Sequence, residues 1–162
     1  MYKYKNTVSL LHLLGAIALL GGCRPACDYP YLPRLQQYLA EVHRYQIPEE
    51  EVILYITPLD GCAYCVEQNL RVLIRSTSKF LVPVLIDRSY NPDYTELARQ
   101  VRAKYPQVLE DPGVKIRNYQ TGYLNPLLVH LKKGRCVYYM EITDADITAA
   151  EKYLMQARPP TG

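Results

Sequence analysis

Cys62 and Cys65 are the residues of this chain best suited to chemistry. They stand in Cys62-Ala63-Tyr64-Cys65, after the apolar, β-prone run Val52–Thr57 and the short turn Pro58-Leu59-Asp60-Gly61. A helical pattern then continues through Val66, Leu70, Leu73 and Ile74. Strand, turn, Cys-x-x-Cys and helix together place the first sulfur at a helix N-terminus. Unpaired backbone N–H groups there favour the thiolate over the thiol. Disulfide exchange, a static structural disulfide and a metal site are the three readings of such a pair. A zinc site needs two more ligands, and the chain has no second Cys-x-x-Cys and no closely spaced histidine pair, so no metal is expected.

Other reactive side chains read more blandly. His130 lies in a strand-like run and reads as a packed core histidine, while His43 falls on the polar side of an amphipathic helix. Glu67, two residues after Cys65, reads as a surface carboxylate rather than a proton relay. Cys136 lies in a strand-like run and suits a small buried hydrophobe. Cys27 is free, exposed or paired with Cys136, and a pairing would pin the N-terminal segment to the sheet.

The elements that must position these residues begin after a leader. Met1-Tyr2-Lys3-Tyr4-Lys5 is short and positive, and Val8–Leu20 is apolar apart from Ser9, His12 and Gly15. That run falls short of the roughly 20 residues of a membrane span and suits the apolar region of a secretory signal. Leu20-Gly21-Gly22-Cys23 follows and resembles the bacterial lipobox, which implies lipidation of Cys23, palmitate included, as the new N-terminus. The expected organisation is a lipoprotein signal peptide over 1–22, a proline-containing tether over 23–32 and one domain over 33–162. Domains of about 100–150 residues are common, and no linker or repeat divides this one.

Within the domain, Pro33–Gln46 reads as a helix with Leu35, Tyr38, Leu39, Val42 and Tyr45 at helical spacing. Phe80–Asp87 reads as a strand buried on both faces, with Pro83 confined to a position that donates no ladder hydrogen bond. Asn91-Pro92 starts a helix that runs through Leu97, Ala98 and Val101 to Pro106. Val114–Arg117 suits a short strand. Pro126–Leu131 and Cys136–Ile142 form a hairpin about Lys132–Arg135. Thr143 or Asp144 caps a last helix with Ile147, Ala150, Leu154 and Ala157 on one face. Sixteen tyrosines beside no tryptophan and one phenylalanine imply that tyrosine takes over aromatic packing.

This order, with Cys-x-x-Cys after the first strand, resembles the thioredoxin family. A second stretch, Asn125-Pro126 followed by an apolar strand, Lys132-Lys133 and the Gly134 turn, resembles the family's cis-proline segment. The resemblance covers most of Pro33–Ala157. It implies an α/β fold of three layers, α/β/α, about a central mixed sheet, and thiol–disulfide exchange with no cofactor. By the same resemblance, Cys62 is the attacking thiolate and Cys65 the resolving cysteine. Ala63, Tyr64, Asn125 and Pro126 line the substrate, with Pro126 cis against the sulfurs and Asn125 offering backbone groups to an extended segment. The chain departs from the common pattern at Gly61, at Ala63-Tyr64, at Ile56 in place of a buried aspartate, at Pro83 in place of that aspartate's partner lysine, and at Asn125.

Charge narrows the partners. The chain carries 19 basic and 16 acidic residues, and loss of Lys3 and Lys5 with the leader leaves 17 against 16. No basic field remains for nucleic acid. The expected partners are disulfide-containing exported proteins, a redox partner of unspecified identity and the membrane, reached through lipid on Cys23. The expected location is the cell envelope, facing the periplasm, where disulfides persist. Arg24 after the lipidated cysteine leans towards the outer membrane. The alternative function is a non-catalytic binding or assembly lipoprotein in which Cys62–Cys65 is structural.

Overall fold

A computed structural model describes residues 27–87 and 95–156. The expected signal peptide over 1–22, Cys23, the expected Asn91-Pro92 helix start and Ala157 lie outside these residues. The described elements are α1 (Leu32–His43), β1 (Glu51–Pro58), α2 (Ala63–Arg75), β2 (Leu81–Ile86), α3 (Thr95–Lys104), β3 (Leu109–Asp111), a 3₁₀ turn (Lys115–Tyr119), β4 (Leu127–Lys132), β5 (Arg135–Glu141) and α4 (Ile147–Gln156).

The strands form one mixed sheet in the order β3-β2-β1-β4-β5. β1, β2 and β3 run parallel, and β4 and β5 are antiparallel to their neighbours. Strand alternation sends β1 side chains to two cores. Ile53 and Tyr55 face Val66, Leu70 and Leu73 of α2, Ala98 and Val101 of α3, and Ala150 and Leu154 of α4. Val52, Leu54 and Ile56 face Leu35, Tyr38 and Leu39 of α1 and Ile116 of the 3₁₀ turn. The result is the expected three-layer α/β/α arrangement about a central mixed sheet.

Pro83 is accommodated by the ladder. The carbonyls of Phe80 and Ile86 accept from Ile53 and Leu59, each at 2.8 Å, so the even-numbered β2 residues turn their hydrogen bonds towards β1. The Pro83 nitrogen therefore faces the other side, just before β3 begins pairing at Val84.

The tyrosines do replace other aromatic rings in the cores, and their hydroxyls find partners. Tyr38 and Tyr55 are fully buried. Tyr38 donates to Asp111 at 3.1 Å, Tyr29 to the Thr121 carbonyl at 2.6 Å and Tyr105 to the Leu73 carbonyl at 2.6 Å. Among the described residues, Tyr123 is the one buried side chain whose hydroxyl has no partner.

Several local expectations are corrected. α1 stops at His43 rather than Gln46 because Arg44 turns left-handed at φ 52° and the Tyr45 N–H closes back on the Leu39 carbonyl. Val114–Arg117 is not a strand. Val114 also turns left-handed, and the buried Asp111 carboxylate accepts the Ile116 N–H at 2.9 Å, which winds the segment into a 3₁₀ turn. The edge strand is instead the three-residue β3 just before it. The described part of the proposed tether does not trail away from the domain. A disulfide joins Cys27 to Cys136, Tyr29 is buried, and Leu32 already begins α1. Cys136 is thus buried as expected, but paired rather than free.

Candidate functional site

The dithiol sits where β1 hands over to α2. Leu59 is fastened by its N–H to the Ile86 carbonyl, and Gly61 then adopts φ +106°, a left-handed geometry that favours glycine. That turn sets Cys62 as the N-cap of α2, in an extended conformation. Its carbonyl accepts the Val66 N–H at 3.0 Å and its Sγ accepts the Cys65 N–H at 3.3 Å. A sulfur thus occupies the place where Ser, Thr or Asp ordinarily caps a helix, aimed at by the helix's free N–H groups. That arrangement favours negative charge on Cys62 once the pair is reduced.

Cys62 and Cys65 are joined as a disulfide with Cα atoms 5.2 Å apart. Cys62 is exposed and Cys65 half-buried. Both sulfur-bearing residues open on a cleft of about 340 Å³ lined also by Asp60, Asn69, Asn125, Pro126 and Asp144. Of the residues singled out in the sequence, Cys62, Cys65, Asn125 and Pro126 therefore meet at one cleft. Ala63 and Tyr64 do not line it, and Tyr64 is 62% exposed. Leu124, which does line it, is 85% exposed.

Pro126 corrects one expectation. No peptide bond among the described residues is cis, so Asn125–Pro126 is trans. Trans is the intrinsically preferred isomer by about 0.5–1 kcal/mol, and the exposed Leu124-Asn125 turn offers no packing to reverse it. Pro126 still reaches the cleft because its carbonyl accepts the Ile142 N–H at 2.7 Å, which stitches this loop to the segment after β5.

A polar chain runs beneath the dithiol. Asn69, one helical turn after Cys65, is 2% exposed. Its Nδ2 donates to the Cys65 carbonyl at 2.7 Å, and its Oδ1 accepts the Tyr55 hydroxyl at 2.6 Å. Burial, and then the Glu151 carboxylate, push the Tyr55 phenol far above its ordinary value, so it remains a donor. The sequence carried a signal for this, since Asn69 interrupts the buried side of α2 between Val66 and Leu70 and stands four residues after Cys65.

The remaining candidates are structural. Glu67 pairs with Arg71 at 2.7 Å. His130 is buried, with Nε2 3.0 Å from Glu51 and Nδ1 2.6 Å from the Tyr153 hydroxyl. His43 is half-buried rather than fully solvated, its Nε2 2.8 Å from the Tyr38 hydroxyl.

No family model matches the chain, and no curated protein matches it. Solved structures do. A thioredoxin-like protein from Bacteroides caccae is 22% identical over 69% of this chain, with a TM-score of 0.43; the chain spans 42% of that protein's length. A secreted disulfide oxidoreductase from Mycobacterium tuberculosis is 12% identical over 65% of this chain and 83% of its own, with a TM-score of 0.44. The C-terminal domain of an uncharacterized protein from Bacteroides fragilis is 26% identical over 69% of this chain and 83% of its own, also with a TM-score of 0.44.

Proposed function

We propose that this protein carries out thiol–disulfide exchange on exported proteins while anchored in the bacterial cell envelope by lipid on Cys23. The observation that carries the reading is an exposed cysteine at a helix N-cap, joined to a half-buried cysteine, both opening on a cleft shared with Asn125 and Pro126. The reduced Cys62 thiolate attacks a substrate disulfide and forms a mixed disulfide. Cys65 then attacks the Cys62 sulfur, restores the Cys62–Cys65 bond and releases the substrate as a dithiol. The backbone of Asn125 and the faces of Ala63, Tyr64 and Pro126 border an extended substrate segment. The Cys27–Cys136 disulfide supports an oxidising compartment, as does the leader ending in Leu20-Gly21-Gly22-Cys23. Arg24 next to the lipidated cysteine favours the outer membrane.

Turnover of a model protein disulfide tests the chemistry. Cys62→Ser should abolish it, and Cys65→Ser should accumulate mixed disulfides that a thiol reductant releases. If neither variant changes turnover or partner trapping, the pair is a structural disulfide and the domain a binding or assembly module. Labelling with radioactive palmitate, lost in Cys23→Ala, tests the anchor separately.

A further inference from the structure

The polar pair under the dithiol is an unusual use of core space. Tyr55 and Asn69 are both fully buried among Val66, Leu70 and Leu73, where apolar side chains of similar size would avoid the loss of hydration. Each polar atom is matched: the phenol donates to Oδ1, and Nδ2 donates to the carbonyl of Cys65. That second bond uses one of the two N–H groups of the amide. Asn69 also lines the cleft that holds both cysteines, and as residue i+4 to Cys65 it is that side chain's neighbour along the helix.

We propose that the second N–H of Asn69 is a donor to the Cys65 sulfur in the reduced and mixed-disulfide states, and that Tyr55 is its positioning residue. The inference rests on the exchange chemistry proposed above. With its Oδ1 held by a phenol that stays protonated, the amide presents nitrogen, not oxygen, towards Cys65. Resolution needs the Cys65 thiol to lose its proton to cleft water. The resulting thiolate attacks the Cys62 sulfur, and the Cys62–substrate S–S bond breaks. The substrate sulfur leaves with the electron pair and takes up a proton. Two electrons pass from the protein dithiol to the substrate disulfide, and an exogenous dithiol reductant reloads the protein. Cys65 lacks the helix-end N–H groups that serve Cys62, so a side-chain donor is its local means of favouring the thiolate.

The test is a single-turnover experiment with the reduced full-length protein and a chromophoric aryl disulfide, acid-quenched after reaction at mildly acidic to mildly alkaline pH. It reads the ratio of resolution rate to attack rate and the pH midpoint of resolution. Loss of a hydrogen bond to a charged group predicts a ratio about tenfold lower in Asn69→Leu, with the midpoint moved to higher pH. Asn69→Asp keeps the acceptor for Tyr55 and the volume but removes both N–H groups. It should lower the ratio at least as far, and it serves if the leucine variant does not fold. Tyr55→Phe should act in the same direction with smaller size. A folded Asn69→Asp with the wild-type ratio and midpoint overturns the proposal. A wild-type domain that forms no Cys62 adduct overturns the exchange reading itself, whereas adduct formation with unaltered resolution in the variants overturns this inference alone.

Discussion

The imidazole of His130 on β4 is held between two elements, its Nδ1 2.6 Å from the Tyr153 hydroxyl of α4 and its Nε2 3.0 Å from the Glu51 carboxylate of β1. The Tyr153 ring in turn stacks on Tyr138 with centroids 4.1 Å apart. Burial outweighs the Glu51 carboxylate and, with Lys132 adding in the same direction, lowers the His130 pKa from its ordinary 6.5. Burial likewise lowers His43. Both groups bind a proton more readily in the unfolded chain. Their contribution to stability is therefore fully present above the unfolded pKa and is lost as pH falls through that value towards the folded one. The urea midpoint should drop between pH 7.5 and pH 5.5, about one unit either side of 6.5. His130→Gln should flatten part of that slope; a slope identical to wild type would show that His130 does not titrate on unfolding.

The Cys27–Cys136 bridge spans 109 residues of sequence. Closing a loop of that size stabilises a fold by about 2–5 kcal/mol through the unfolded chain. The Cys27→Ala/Cys136→Ala double variant should lose that amount in urea titration while keeping its Cys62–Cys65 pair and its sheet.

Exposure separates the two site cysteines. After reduction, iodoacetamide at mildly acidic pH should modify Cys62 well ahead of Cys65, because Cys62 is exposed at the helix N-cap and Cys65 is half-buried. Peptide mapping of the first alkylated product gives the order directly.

Gly61 carries a conformational rather than a steric constraint. A Cβ added there meets nothing within 4 Å, but φ is +106°. Gly61→Ala should cost about 1–2 kcal/mol of stability from backbone strain. It should also slow disulfide exchange, since this turn sets the direction in which Cys62 enters α2. Urea titration and exchange kinetics on the same sample check both.

Much of this architecture was legible because it rests on long periodic runs. The six-residue apolar pairing of β1 with β2, the α2 stripe and the hairpin Leu127–Glu141 all follow from alternation or helical spacing. Cys62, Cys65, Asn125 and Pro126 were grouped in the sequence through the family resemblance alone, and they meet in the structure because the end of β1 lies beside the start of β4. Features that depend on one contact were not. β3 is too short to show a period, and the 3₁₀ turn exists because Asp111 captures a single N–H. The trans Asn125–Pro126 bond is the intrinsic preference left in place by an exposed turn, and spacing does not reveal that exposure. The pairing of Cys27 with Cys136 depends on a distance between segments far apart in sequence, and the Tyr55–Asn69 bond joins a strand to a helix across the core.

The bridge at Cys136 also sets a geometry of presentation. Cys136 pairs with Leu131 beside the hairpin turn, where β1 begins, while the dithiol follows the opposite end of β1, beyond Ile56 and its partner Leu127. The stretch of β5 from Cys136 to Glu141 alone covers about 17 Å of that separation at ~3.4 Å per residue. Cys23 precedes Cys27 by four residues, a leash of at most about 14 Å. For a chain lipidated at Cys23, as proposed, the domain cannot swing freely on a long stalk. Such an anchor would hold the hairpin end near the bilayer and leave the dithiol at the far end of the domain, on the solvent side.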